Sequence, residues 1–253
     1  GRLAQESNPM RATAAAIALA RADGAHSASA VLRKIISFAP ASFDNHQLRL
    51  DAIRAITLAF TRGGEPTSDL KVDLITWLDN IYPARTPEEN RDLSALMAFL
   101  QAPSAVEKGM ALLVEASGQE EQIGYALNLR HLKHGWTPEL RETYFQWFVL
   151  SGSYQGGARL GNYLNDIKTH AIAAVPLEDI TPALTALIET PPESNTPQFT
   201  LEPRDYVKMW TMADVRPLLG AGLEGGRNFL NGRQMFGAGT CYVCHRFNGE
   251  GGA

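Results

Sequence analysis

Helix entries recur at near-regular intervals along the middle of this chain, and that recurrence limits the fold more than any other feature. Thr86-Pro87-Glu88-Glu89 sets a Thr cap before Pro at the first helical position and Glu at the third. Thr137-Pro138-Glu139 repeats the entry, and Ser104-Ala105-Val106-Glu107 and Asp44-Asn45-His46-Gln47 have capping-box spacing. In each, a side-chain oxygen can accept from a first-turn N–H that has no helical partner. Gly63-Gly64, Gly118 and Gly135 are placed to close helices in the left-handed conformation. Thr86, Ser104, Gln119 and Thr137 mark successive starts, so helix pairs recur roughly every 33 residues, within the range of two-helix solenoid repeats.

Apolar stripes fill the intervals. Leu93, Leu96, Met97 and Leu100 fall at i, i+3, i+4 and i+7; Leu70, Leu74, Trp77, Leu78 and Ile81 form a second stripe, and Val106, Met110, Leu113 and Val114 a third. Each is one buried helix face, and no run alternates with period two. The expected fold is all-α: about ten short helices over residues 1–190, stacked as a HEAT- or armadillo-like α-α solenoid, with a closed irregular bundle as the alternative. The Ala-rich stretch after Met10-Arg11 has the look of a leader peptide. Its polar lead, Gln5-Glu6-Ser7-Asn8-Pro9, and its few strongly apolar residues favour a short helix. The chain opens on Gly1, so a mature or excised piece is expected.

With 253 residues, 45% of them apolar and 20% charged, the chain can bury a core without disulfides or metals. Its net charge of -4 makes no general electrostatic case for nucleic acid. The longest apolar run, Ala12 to Ala20 around Thr13, falls far short of the roughly 20 residues a membrane helix needs, so no membrane span is expected.

Several residues in the helical part invite a functional reading. His131 and His134 stand three apart near a helix end and could share a metal, but no Cys or carboxylate sits at fitting spacing. Histidine near a helix C-terminus is better explained by the exposed carbonyls there. Tyr144, Phe145, Trp147 and Phe148 cover too wide an arc for one stripe, and read as core plus a neighbour-helix contact. Glu88-Glu89 and Glu120-Glu121 suit the positive end of a helix dipole. There is no phosphate loop, nucleophile elbow or HExxH, so these helices are not read as an active site.

Pro191, Pro192, Pro197 and Pro203 then crowd one short stretch. They remove donors and fix φ, which ends the helical repeats. The expected organisation is a helical-repeat domain at 1–190, a Pro/Gly-rich linker at 191–225, and a small C-terminal domain from 226 to 253. The linker holds a short helix over Tyr206 to Leu219, broken by Gly220, Gly222, Gly225 and Gly226. A further helix is expected over Arg227 to Phe236.

The only two cysteines stand together in Cys241-Tyr242-Val243-Cys244-His245. This is the attachment pattern of c-type haem. Two thiols three apart lie on one side of a single helical turn, where they can reach the two vinyl groups of one porphyrin. The adjacent His245 offers the proximal nitrogen to the iron. Upstream, Gly232 and Phe236 stand four apart on the expected helix. The small residue would let another helix approach, and the ring would cover the haem edge. A structural zinc site would need four ligands, and the chain has two Cys. A thioredoxin-type dithiol would be expected near a βαβ pattern. Both stay open as rivals to haem.

From Gly225-Gly226-Arg227-Asn228-Phe229 through Met235-Phe236 to Cys241-Tyr242-Val243-Cys244-His245-Arg246-Phe247-Asn248-Gly249-Glu250-Gly251-Gly252-Ala253, the chain resembles the C-terminal haem-binding domain of the Pirellula/Verrucomicrobium (planctomycete) type. Trp210-Thr211-Met212-Ala213-Asp214 is similar to that family's lead-in to the cytochrome. His134-Gly135-Trp136-Thr137-Pro138-Glu139-Leu140-Arg141 and Tyr144-Phe145-Gln146-Trp147 resemble its helical repeats. The resemblance covers roughly the second half, most specifically the last forty residues.

What it implies is a large, exported, periplasmic multidomain protein in which a sugar- or alcohol-dehydrogenase-like part feeds electrons to a C-terminal cytochrome c. Carried over, Cys241 and Cys244 hold haem c through thioethers and His245 is its proximal iron ligand. The partner is a redox protein or a dehydrogenase domain, which the same full-length chain could supply. Few residues follow His245 and no Met follows Met235, so the cytochrome domain is expected to be truncated here and its haem absent or incomplete. This piece is not expected to be catalytic by itself. The alternative reading is an α-solenoid binding module for a protein or polymer, with no haem loaded.

Overall fold

The computed structural model describes residues 2–157, 159–193, 206–247 and 250–251. The fold is all-α: every element among them is helical apart from a two-residue antiparallel pair near the C-terminus. The helices are α1 (Arg2–Gln5), α2 (Pro9–Asp23), α3 (Ala28–Ile36), α4 (His46–Gly63), α5 (Ser68–Asp79), α6 (Pro87–Phe99) and α7 (Ala105–Glu115). They continue with α8 (Gln119–Leu129), α9 (Pro138–Leu150), α10 (Leu160–Ala173), α11 (Pro182–Glu189), α12 (Met212–Glu224) and α13 (Phe229–Ala238). Two compact units divide them: Gly1–Ser151 with Leu164–Pro192, and Gly152–Tyr163 with Glu193–Ala253. The first boundary expected from the prolines, at 190, lies close to this division. The return of Gly152–Tyr163 to the second unit has no counterpart in the sequence pattern. Residues 194–205 of the expected linker lie outside the described residues.

In the first unit, helices pack on near neighbours in sequence. α2 packs on α3 and α4, α3 on α4 and α5, α4 and α5 on α6, α6 on α7 and α8, α7 on α8 and α9, and α11 on α9. The Ala-rich α2 belongs to this core: Asn8 caps it by accepting from the Arg11 N–H, and Ala12, Thr13, Ala16 and Ala20 are buried. The stripes on α5 and α6 bury Leu70, Leu74, Trp77, Leu78, Leu93, Leu96 and Met97. Thr86, Thr137 and Thr181 each accept from the N–H three residues on, followed by Pro at the first helical position.

Four local expectations are corrected. At α4 the cap is Asn45, which accepts from the Leu48 N–H, so Asp44 lies one residue outside the box. Ser104 precedes α7 with helical φ and ψ, and its hydroxyl instead donates across to the Asp79 carboxylate. Gly118 caps the start of α8 rather than closing α7, which ends at Glu115 with Ala116 as its C-cap. Val114 is 64% exposed. Its helix buries Ala105 and Gly109 instead, and a Cβ on Gly109 would meet Leu129 Cδ2 at 3.0 Å. Small residues at 105 and 109 let α8 come close, and that turns the buried stripe away from position 114. Gly64 (φ +72°) and Gly135 (φ +89°) do take the left-handed backbone, as the turns there require.

In the second unit the helix expected from Tyr206 starts later. Thr211 and Asp214 form a reciprocal capping box, which sets the start of α12 at Met212. Gly220 and Gly222 do not break it, and the helix runs to Glu224 despite Pro217 within it. The next helix, α13, is shifted by two residues from its expected span, because Asn228 caps it by accepting from the Asn231 N–H.

Candidate haem-attachment turn

The cysteine motif is built by the end of α13. The Gly239 N–H returns to the Met235 carbonyl at 2.8 Å and the Thr240 N–H to Gly237 at 2.9 Å. Thr240 then takes φ +57° and ψ 17°, a left-handed conformation that redirects the chain out of the helix. Cys241–Val243 form a single 3-10 turn, which packs on α13. The Cys241 carbonyl accepts from two N–H groups, Cys244 at 3.3 Å and His245 at 2.8 Å. These bonds fix where both cysteines and the histidine leave the backbone. A short hairpin follows, pairing Arg246 with Gly251 and Phe247 with Glu250 (β1, Arg246–Phe247; β2, Glu250–Gly251), and β2 packs against the same turn.

Both cysteines are free thiols, and both are exposed. His245 is exposed as well, and its N–H is spent on the turn, so its ring is what the site can offer. Gly239 makes room for this arrangement. A Cβ there would stand 3.2 Å from Cys241 Sγ and 3.2 Å from the Met235 carbonyl oxygen. Of the two expected packing residues, Phe236 is half-buried on α13. Gly232 is exposed, and no heavy atom lies within 4 Å of where its Cβ would be. The donor set fits a c-type haem: two accessible thiols on one turn, followed at once by an accessible imidazole. A closed zinc site is not assembled, since no group of three or more His, Cys, Asp or Glu is brought together among the described residues.

The other candidates fall elsewhere. Tyr144, Phe145, Trp147 and Phe148 are all buried in the first unit, as core. The His131 ring lies beside that of His170, their centroids 6.0 Å apart. A shallow 480 Å³ depression lined by Arg33, Asp73, Trp77 and Asn80 gathers no catalytic constellation. No helix among the described residues is long and apolar enough to cross a membrane.

One buried charge cluster escaped the sequence reading. Glu89, 1% exposed, accepts from Arg49 Nε at 2.6 Å, and His46 Nδ1 lies 3.2 Å from the same oxygen. Burial pushes this carboxyl up, but the bonds from Arg49 and His46 outweigh it and hold the group below the usual glutamate range. The stabilisation is therefore complete above the unfolded-state pKa of about 4.3 and is lost as pH falls through the lower folded value. Glu89→Gln is expected to cost about 1–2 kcal/mol at pH 7. In urea unfolding, the gap from wild type should narrow steadily as pH falls below about 4.3; a gap constant with pH would show that charge is not its source.

Compared with known protein families, with curated proteins and with solved structures, the chain has no match.

Proposed function

We propose that this chain carries a c-type haem on Cys241 and Cys244, with His245 as proximal iron ligand, and works in electron transfer within an exported, periplasmic oxidoreductase. The observation that carries this reading is the single turn at Cys241–Val243, which leaves both thiols free and exposed beside His245. When bound, the haem supplies the one-electron couple. The chain's own part is to hold the thiols and the imidazole on one rigid turn, with Gly239 keeping the space beside Cys241 Sγ open. Phe236, half-buried one turn before Thr240, would shield one side. A redox protein or a sugar- or alcohol-dehydrogenase-like domain would be the partner, and covalent attachment places the protein outside the cytoplasm.

The helical unit is proposed as the scaffold that presents this end of the chain. Its packing favours a second reading beside the first. Helices whose main contacts, among the described residues, are with near neighbours in sequence follow the pattern of stacked helical pairs, which offer long surfaces to proteins or polymers. A reduced-minus-oxidised visible spectrum, taken on the chain exported together with haem-attachment machinery, separates the two. A c-type spectrum that persists on the denatured chain supports electron transfer. Good folding with no covalent haem leaves the binding scaffold.

A further inference from the structure

We propose that His131 and His170 form a two-imidazole site for a borderline divalent cation of the Zn²⁺ class. The two residues are 39 apart in sequence, and the fold of the first unit brings their rings to a centroid distance of 6.0 Å with a 32° tilt. Two imidazoles on one such ion, each with a metal–nitrogen bond of about 2.0–2.1 Å, place their ring centres roughly 5 Å apart at a tetrahedral angle and roughly 6.4 Å apart when trans. The observed 6.0 Å lies between these two arrangements. Both side chains are exposed, so an ion can enter from solvent and complete its coordination with water.

The backbone under His131 is held from two sides. Gln101 Nε2 donates to the His131 carbonyl at 3.0 Å, and Gln101 Oε1 accepts from the Lys133 N–H at 3.1 Å. Gln101 itself takes φ +51°, and its N–H is tied to Ala98. One carboxamide thus brackets the turn that carries His131. On the other side, His170 sits on α10 between Ile167 and Ala171, which are buried and anchor that helix face. A chelating pair needs this kind of pre-set spacing, because neither ring then has to be ordered when the ion binds.

The chemistry of the pair selects the ion. Neutral imidazole nitrogen suits Zn²⁺, Cu²⁺ and Ni²⁺, whereas Ca²⁺ and Mg²⁺ prefer oxygen. The site is independent of the cysteine turn, which lies in the other unit.

The test uses the full chain with Cys241 and Cys244 alkylated by iodoacetamide, so that those thiols cannot take the probe. Calorimetric titration with ZnCl₂ at pH 7.5 is expected to show a saturable site. His131→Ala and His170→Ala should each weaken it about tenfold or more, while His134→Ala leaves it unchanged. Because both rings are exposed, the variants should melt with wild type in EDTA, which separates lost ligation from lost folding. No Zn²⁺ binding by the alkylated chain, or binding that survives replacement of either His131 or His170, overturns the site.

Discussion

Tyr144→Ala is expected to destabilise the helical unit by about 3–5 kcal/mol, a drop in melting temperature on the order of 10 °C. Tyr144 is 2% exposed and sits at the centre of an aromatic cluster. Its ring lies 5.2 Å from Trp136, 5.8 Å from Phe145 and 5.0 Å from Phe148. Arg141 adds its guanidinium over Trp136 at 5.2 Å and an ion pair to Asp179 at 2.9 Å. Truncation removes the ring from all three contacts and leaves a cavity that three helices cannot easily close. The hydroxyl contributes less. It donates to the Ala126 carbonyl at 2.7 Å, and burial holds it well above the usual phenol range, so it stays a donor at any ordinary pH. That carbonyl also accepts from the Arg130 N–H, so Tyr144→Phe leaves no orphaned acceptor and should cost only about 1 kcal/mol. Urea unfolding of both variants checks the division. Equal losses would move the weight from ring packing to the hydrogen bond.

The breadth of that cluster was legible, and the reason is geometric. Aromatics at 144, 145, 147 and 148 cannot share one narrow face of a helix, so they had to meet more than one neighbour. The Thr-Pro helix entries were legible too, because a cap involves atoms only three residues apart. Several failures depend on a partner far along the chain. Ser104 has the form of a cap, but Asp79, 25 residues earlier, competes for its hydroxyl and wins. Glu89 reads as a first-turn carboxylate, and only the fold brings Arg49 to it. His131 carries a visible signal, but sequence spacing pairs it with His134 where packing pairs it with His170.

At the C-terminus the order of ligand types was readable and the geometry was not. Cys241, Cys244 and His245 follow directly from the motif. The turn that presents them rests on Thr240 in a left-handed conformation, and threonine, being β-branched, is a poor candidate for it. Local propensity pointed to a helix running further back and a break at Gly220. The capping box of Thr211 with Asp214 overrides it by satisfying two first-turn donors at once.

Under the proposed haem attachment, Cys241→Ala/Cys244→Ala is expected to abolish covalent haem altogether, the largest effect any substitution here should have. Each thiol can contribute one thioether, so a single replacement should leave the haem attached through the other, still resistant to acid–acetone extraction. The double variant should release all of it. His245→Ala probes a different function of the same turn. It leaves both thiols in place, so attachment should persist while the visible spectrum changes with loss of the imidazole that would hold the iron. Gly239→Ala tests the turn's shape without touching a ligand. Its new Cβ would press on Cys241 Sγ and the Met235 carbonyl at 3.2 Å each, and the fraction of chain loaded should fall although thiol titration still counts two. Haem that stays on the denatured double variant would break the assignment of the two cysteines. Unchanged loading in Gly239→Ala would break only the claim that this turn's geometry governs attachment. These variants together therefore separate what the residues supply as chemistry from what the fold supplies as placement.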